Sequence, residues 1–315
     1  MRLLARRGLE TLASLALLAS LAFALAHAMP GGPAYAILGL KATPAGVSAV
    51  NLQLGLDVPW WRQYAIWWAH LAQGDLGTSY ILNRPVAGVI ALYAGASLAL
   101  CGAGFSAGLV LAVAAGLAMA VLPGWPGTAL RALITGLYAM PGFFLGSILL
   151  LAFSVWLPWL PGGGVADARL AHPGLADRAA HLVLPALTLA LLVMPAPAQL
   201  LAQALAEQRS LAYARAATAR GASPARVLLR HVLPNALRPL VGWAGAALPG
   251  VLAGAVVVES VFDYPGLGWL LWRSAVGRDY PVLVGVVLIL GVAAIVGNFL
   301  ADALNAWLDP RVRFQ

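Results

Sequence analysis

Long apolar runs separated by short polar stretches set the pattern of this chain. Six runs, at about Leu12–Ala28, Ser97–Leu122, Leu130–Leu157, Leu182–Ala206, Leu240–Phe262 and Pro281–Leu304, carry almost no charge. A helix rises ~1.5 Å per residue, so roughly 20 apolar residues cross the hydrocarbon core of a bilayer. The pattern therefore predicts an all-α integral membrane fold: one domain over residues 1–315 with six transmembrane helices. The segments between runs include a long first loop over residues 30–96 and an arginine-dense loop over 207–238.

Composition agrees with the pattern. Of 315 residues, 62% are hydrophobic and 10% charged, where a soluble chain carries about a quarter charged. An even number of spans puts both termini on one side. With the N-terminus inside, the inner segments hold Arg2, Arg6 and Arg7, Arg131, the arginines of 207–238, Arg311 and Arg313. The outer segments, though longer, hold fewer basic residues. This asymmetry places the termini and the 207–238 loop in the cytoplasm. The net charge of +8 then reflects cytoplasmic loops and lipid contact, and implies no nucleic acid. The stretch Met1–Arg7, an apolar run and Ala26-His27-Ala28 together imitate a secretory signal. The run exceeds the usual h-region of about 7–15 residues, so a retained anchor is expected.

Within the first loop, Trp60, Trp61, Tyr64, Trp67, Trp68 and Leu71 share one helical face, with Asp57-Val58-Pro59 as a start signal and Gly74 as a stop. Aromatic rings favour the membrane boundary, so a helix lying on the outer surface is expected. Small residues recur every fourth position at Gly104, Gly108, Ala112, Gly116 and Ala120, and again at Gly242, Ala246, Gly250 and Gly254. Such rows let backbones approach, and both faces are expected to point at protein rather than lipid.

Catalytic chemistry is not indicated. The only lysine, Lys41, stands in Gly39-Leu40-Lys41-Ala42, not in a phosphate-cradling G-x-x-x-x-G-K-[ST] loop, so any ATP must be hydrolysed by another chain. No serine completes G-x-S-x-G. Cys101 is alone, which excludes an intrachain disulfide, and His27, His70, His172, His181 and His231 are too scattered for metal-ligand spacing. No cofactor or metal is expected. Glu259 and Asp302 lie near span ends, where water reaches them, which weakens a proton-coupled carrier.

The segment Glu207–Arg238 carries the strongest local signals. Its Ala-rich part through Arg220 favours helix, Gly221 suits a left-handed helix stop, Ser223 is a cap and Pro224 a first helical residue for a second helix. Such a helix–turn–helix can read DNA, lie on headgroups or enter a groove on a partner. Tethering at both ends to membrane spans leaves the last two.

At these residues the chain resembles the permeases of ATP-binding-cassette importers, in their peptide/nickel branch. That family's cytoplasmic signature runs E-A-A, three residues, Gly, nine residues, I-x-L-P. Here Arg215-Ala216-Ala217, Gly221 and His231-Val232-Leu233-Pro234 fall at those spacings, with Arg215 in place of Glu and His231 in place of Ile. The resemblance continues in order through Leu4–Arg7, Met29-Pro30-Gly31-Gly32-Pro33, Leu54-Gly55-Leu56-Asp57, Gln63-Tyr64 and Gly74-Asp75-Leu76-Gly77. It resumes at Val258-Glu259-Ser260-Val261-Phe262, Tyr264-Pro265-Gly266-Leu267-Gly268, Arg278-Asp279-Tyr280-Pro281 and Leu308-Asp309-Pro310-Arg311-Val312-Arg313.

The resemblance implies the type I importer permease fold and a bacterial inner membrane. It also implies a second permease subunit, two cytoplasmic ATP-binding-cassette ATPases and an extracytoplasmic solute-binding protein as partners. It makes 207–238 the coupling loop that docks the ATPase through Arg215, Ala216, Ala217, Arg220, Gly221, Ser223, Pro224, Arg226, Leu233 and Pro234. Gly221 would turn inside the ATPase groove, Ala216 and Ala217 would permit close approach, and the arginines would meet acidic residues or lipid phosphates. Di- or oligopeptides are the expected solute, a nickel chelate the alternative, and a self-sufficient channel or carrier the competing class.

Overall fold

A computed structural model describes residues 2–28 and 32–308. Residues 29–31 and 309–313, quoted above for the resemblance, lie outside the described residues, as does the side chain of Asp302. Among the described residues every regular element is helical, apart from one antiparallel bridge between Thr78 and Pro85. The helices are α1 (Arg2–Ala28), α2 (Gly32–Leu38), α3 (Pro44–Gln53), α4 (Trp60–Ala72), α5 (Val86–Val121), α6 (Gly124–Ala139), α7 (Gly142–Leu150) and α8 (Leu175–Val193). They continue as α9 (Pro195–Ser210), α10 (Ala212–Ala219), α11 (Pro224–Arg226), α12 (Leu233–Ala236), α13 (Arg238–Ala246), α14 (Leu248–Val261), α15 (Leu267–Gly277) and α16 (Tyr280–Leu308).

Among the described residues three unbroken stretches are long and apolar enough to cross a bilayer: Val86–Val121, Leu175–Val193 and Tyr280–Phe299. Two bent pairs qualify jointly, Gly124–Ala139 with Gly142–Trp156 and Pro224–Ala246 with Leu248–Val261, which brings the number to five. Leu12–Ala24 in α1 is apolar but shorter, so helix length alone does not fix six.

The apolar runs are not all straight helices, and prolines explain where they break. Leu130–Leu157 turns through 109° between α6 and α7, because Pro141 pushes Met140 to extended backbone, ψ 130°. Leu182–Ala206 spans the junction at Met194, where Pro195 and Pro197 remove two N–H donors from the ladder. Leu240–Phe262 bends by 60° at Ala247, just before Pro249 in the first turn of α14. By contrast α5 begins at Val86, well before Ser97, and its 36 residues reach about 54 Å, beyond the roughly 30 Å core of a bilayer.

The chain forms two compact units. The first comprises residues up to Ser97 together with Pro265–Ile295. In one of its cores Ala19 and Ala22 of α1 meet Tyr280, Val284 and Leu288 of α16, with Trp67, Trp68 and Leu71 of α4 packed on them. The aromatic face of α4 is therefore half used: Tyr64 Oη lies 2.7 Å from Ser20 Oγ, whereas Trp60 and Trp61 are exposed. In the other core Val86, Val89 and Ile90 of α5 meet Leu267, Leu270, Val282 and Val286.

The second unit comprises Leu98–Tyr264 and the residues from Val296 onward. The first small-residue row packs as expected. A Cβ at Gly104 would sit 2.8 Å from Leu189, at Gly108 2.9 Å from Val193 and at Gly116 2.9 Å from Leu201. The second row is covered only in part: a Cβ at Gly254 would sit 3.3 Å from Leu189, but Gly250 has nothing within 4 Å, and Ala246 and Gly250 are exposed. Two arginines counted above for charge asymmetry have a local task here. Arg131 Nη2 donates to the Met119 carbonyl at 2.9 Å and Arg209 Nη1 to the Ala120 carbonyl at 2.7 Å. They satisfy orphan carbonyls at the C-terminus of α5 and complement its dipole.

Candidate functional site

The segment 207–238 folds as a helical hairpin. Helix α10 ends in a Schellman turn: Gly221 adopts φ +82°, its N–H donates to the Thr218 carbonyl at 2.9 Å, and the Ala222 N–H reaches the Ala217 carbonyl at 3.2 Å. The next helix starts at once. Ser223 Oγ accepts from the Arg226 N–H at 3.4 Å and Pro224 occupies the first helical position, where its missing N–H costs nothing. Residues Val227–Val232 continue as a π-helical turn into α12.

A compact core holds this hairpin to its neighbours. Ala214 and Ala217 of α10, Val227, Val232 and Ala236 of the returning arm, Leu201 and Leu205 of α9, and Leu240 of α13 form one buried cluster. Ala214 and Ala217 lie three apart and so share a helical face. A polar set braces the same hairpin: Tyr213 Oη donates to Gln208 Oε1 at 2.7 Å, and Asn235 Nδ2 donates to the His231 carbonyl at 2.9 Å. Tyr213 and Asn235 have no signal in the spacing pattern, since neither is periodic nor part of a turn.

The ten expected docking residues thus divide. Arg215, Ala216, Arg220, Gly221, Ser223, Pro224, Arg226 and Pro234 are exposed. Ala217 is 3% exposed inside the cluster, and Leu233 packs against it. Ala217 and Leu233 shape the hairpin, while the other eight are on its surface. The polar groups they present are three guanidinium donors, of Arg215, Arg220 and Arg226, and the Ser223 hydroxyl, set around an open turn. A Cβ at Gly221 would meet nothing within 4 Å, so the turn itself stands clear of the chain's own packing.

Comparisons with known proteins match this chain over most of its length. Residues 108–314 match the family described as binding-protein-dependent transport system inner membrane component, and residues 1–92 match its N-terminal membrane component. The chain is 35% identical over 311 residues to the glutathione transport system permease protein GsiC of Escherichia coli O6:H1, covering 98% of each. Against the protein of that name from Salmonella choleraesuis it is 36% identical over 312 residues, again with 98% of each covered. Among solved structures it is similar to the MetNI methionine ABC transporter in inward-facing conformations, with TM-score 0.57 and 18% identity, over 70% of this chain and 95% of that one. At that identity the likeness concerns the fold alone. The chain belongs to the binding-protein-dependent transport system inner membrane components, as a multi-pass permease subunit of an ATP-binding-cassette importer in the peptide/nickel family.

Proposed function

We propose that this permease carries a peptide-class solute, glutathione included, delivered by an extracytoplasmic binding protein, and that the 207–238 hairpin is the cytoplasmic seat of a separate ATPase subunit. The solute class is supported by the glutathione permeases to which the chain is similar over 98% of its length. The observation that carries the docking role is the exposed turn at Gly221, flanked by exposed Arg215, Arg220 and Arg226 and backed by a rigid core.

A physical route for coupling follows from that core. Close packing transmits displacement rather than absorbing it, and the cluster joins the hairpin to α9 through Leu201 and Leu205 and to α13 through Leu240. An ATPase that closes on the turn therefore moves both helices as one body, a rigid-body switch rather than a local deformation. The arginines form charge-assisted hydrogen bonds with acidic groups on the ATPase.

Reconstitution tests the reading. The chain with its partner permease and ATPases, in proteoliposomes, is expected to take up glutathione or a dipeptide only with ATP and the binding protein present. Uptake by this chain alone, driven by a solute or proton gradient, would show a self-sufficient carrier instead.

A further inference from the structure

Four stretches quoted for the family resemblance are far apart in sequence yet line one cavity of about 640 Å³ in the first unit. Leu54-Gly55-Leu56, Gln63, Asp75-Leu76-Gly77 and Tyr280-Pro281 all contribute to its wall. Its volume falls within the range of about 300–1,000 Å³ usual for small-ligand sites, and the transport reading gives it no task.

The chemistry of the wall is specific. Phe23, Trp67, Tyr80 and Tyr280 line it with aromatic rings; Phe23 and Trp67 are 5.5 Å apart and tilted, Tyr80 and Tyr280 6.5 Å apart and edge-on. Ring faces carry negative quadrupole potential and attract cations. Among the described residues neither lysine nor arginine lines the cavity, and Asp75 is its only acidic group. The carboxylate is fixed in place: Oδ1 accepts from the Gly77 N–H at 2.8 Å and Oδ2 lies 2.8 Å from His70 Nδ1. The Gly77 amide first, then His70, holds its carboxyl below the usual carboxylate range, so it is ionised at neutral pH. His27 is already engaged, with Nε2 2.7 Å from Gln63 Oε1.

One residue of this wall carries a hydroxyl that is left over. Tyr280 is 7% exposed, and its Oη is the single buried side-chain polar atom without a hydrogen-bond partner among the described residues. A buried unpaired hydroxyl costs about 1–3 kcal/mol, and such a group calls for an explanation. A ligand N–H would supply the missing partner.

We propose that this cavity binds an organic ammonium group, with Asp75 as counter-charge, the four rings as walls and Tyr280 Oη as acceptor for an N–H. Two sources carry that chemistry: the free α-amino group of a peptide solute and the headgroup of an aminophospholipid. The peptide source rests on the solute class proposed above, but the ammonium site itself is measured without ATP or partners, so its failure is distinct from a failure of ATP-driven uptake.

The test uses the full-length chain in phosphatidylglycerol nanodiscs, titrated calorimetrically with alanyl-phenylalanine and with N-acetyl-alanyl-phenylalanine, which lacks the ammonium. The free dipeptide is expected to bind at least about tenfold more tightly than the acetylated one, a difference of about 1.4 kcal/mol. Asp75→Asn retains the acceptor for Gly77 and should weaken free-dipeptide binding about tenfold, and Tyr280→Phe about threefold, for loss of charge and of one hydrogen bond. Repeating the titration in phosphatidylethanolamine nanodiscs separates the sources. Competition by that lipid identifies the headgroup as occupant, undiminished binding identifies the peptide, and both uphold the ammonium site. Equal affinity for the two probes, binding of neither, or unchanged affinity in Asp75→Asn overturns it.

Discussion

Ser79 Oγ donates a 2.5 Å hydrogen bond to Asp279 Oδ2 across 200 positions of sequence, with both residues buried. The same carboxylate accepts from the Tyr80 N–H at 3.1 Å through Oδ1 and from the Ile81 N–H at 3.4 Å through Oδ2. Ser79 Oγ in turn accepts from the Leu82 N–H at 2.9 Å. One buried charge thereby organises the loop before α5 against the start of α16. Burial first, then the charge of Asp279, pushes the Tyr80 phenol up to about 12, so it remains a neutral wall of the cavity at any physiological pH.

Because a buried donor without a partner costs about 1–3 kcal/mol, Asp279→Ala is expected to lower the stability of the purified chain by about that much or more. Asp279→Asn retains two acceptor lone pairs and should cost less. Thermal unfolding in one detergent, by cysteine-reactive dye or circular dichroism, reads the order Ala below Asn below wild type. Combined with Ser79→Ala, the loss should be less than additive, since both changes break the same bond. Additive losses would mean the pair does not act as a unit.

The glycine rows support a contrast between two substitutions of equal size. Gly108→Val pushes a side chain to within 2.9 Å of Val193, and overpacking of this kind costs about 1–3 kcal/mol. Gly250→Val meets nothing within 4 Å and should leave the isolated chain as stable as wild type. If the exposed part of that row is where the partner permease sits, Gly250→Val lowers the yield of the co-purified pair. Equal thermal shifts in both variants would contradict the packing described.

How much of this was legible in the sequence depends on how local each signal is. The stop at Gly221 and the start at Ser223-Pro224 were readable, because a left-handed residue, a capping hydroxyl and a first-turn proline act within a few positions. The apolar runs were readable as membrane-compatible helices, but the 109° turn at Met140-Pro141 was not. A proline inside an apolar run is compatible with a kinked span as well as with a break. The inward orientation of Ala217 beside the exposed Ala216 turns on which face meets Leu201 and Leu205, and that depends on neighbours distant in sequence. The Ser79–Asp279 bond and the cavity around Tyr280 had no local signal at all, although the motifs that build the cavity were individually recognisable.

Topology is open to chemical labelling, and the structure moves the choice of positions. Ser79 attracts attention as a point in the outer loop, but it is 2% exposed and bonded to Asp279, so a cysteine there would be unreactive for reasons unrelated to sidedness. Arg84, Ala168 and Ala225 are exposed. In a Cys101→Ser background, Arg84→Cys and Ala168→Cys are expected to react with a membrane-impermeant maleimide added to whole cells, and Ala225→Cys only after lysis. Labelling of Ala225→Cys in intact cells would reverse the orientation derived from the arginine asymmetry.

Gly221 bears most directly on coupling, and substitutions there separate backbone strain from loss of a partner contact. At φ +82° a β-branched residue is close to forbidden, whereas asparagine visits the left-handed region readily. The chain itself has room for either side chain, since nothing lies within 4 Å of a Cβ at this position. Gly221→Val should therefore unmake the Schellman turn at a cost of about 1–2 kcal/mol, leave the membrane segments inserted and reduce both ATPase co-purification and uptake. Gly221→Asn keeps the turn and adds only bulk. If the ATPase closes tightly around the bend, Asn loses the partner almost as completely as Val; if only the shape of the backbone matters, Asn behaves as wild type. Co-purification at matched membrane levels, with uptake measured on the same preparations, reads both. Full ATPase attachment and full uptake in Gly221→Val would remove the docking role from this hairpin, because no lipid-surface function of the turn would require the partner to notice the change.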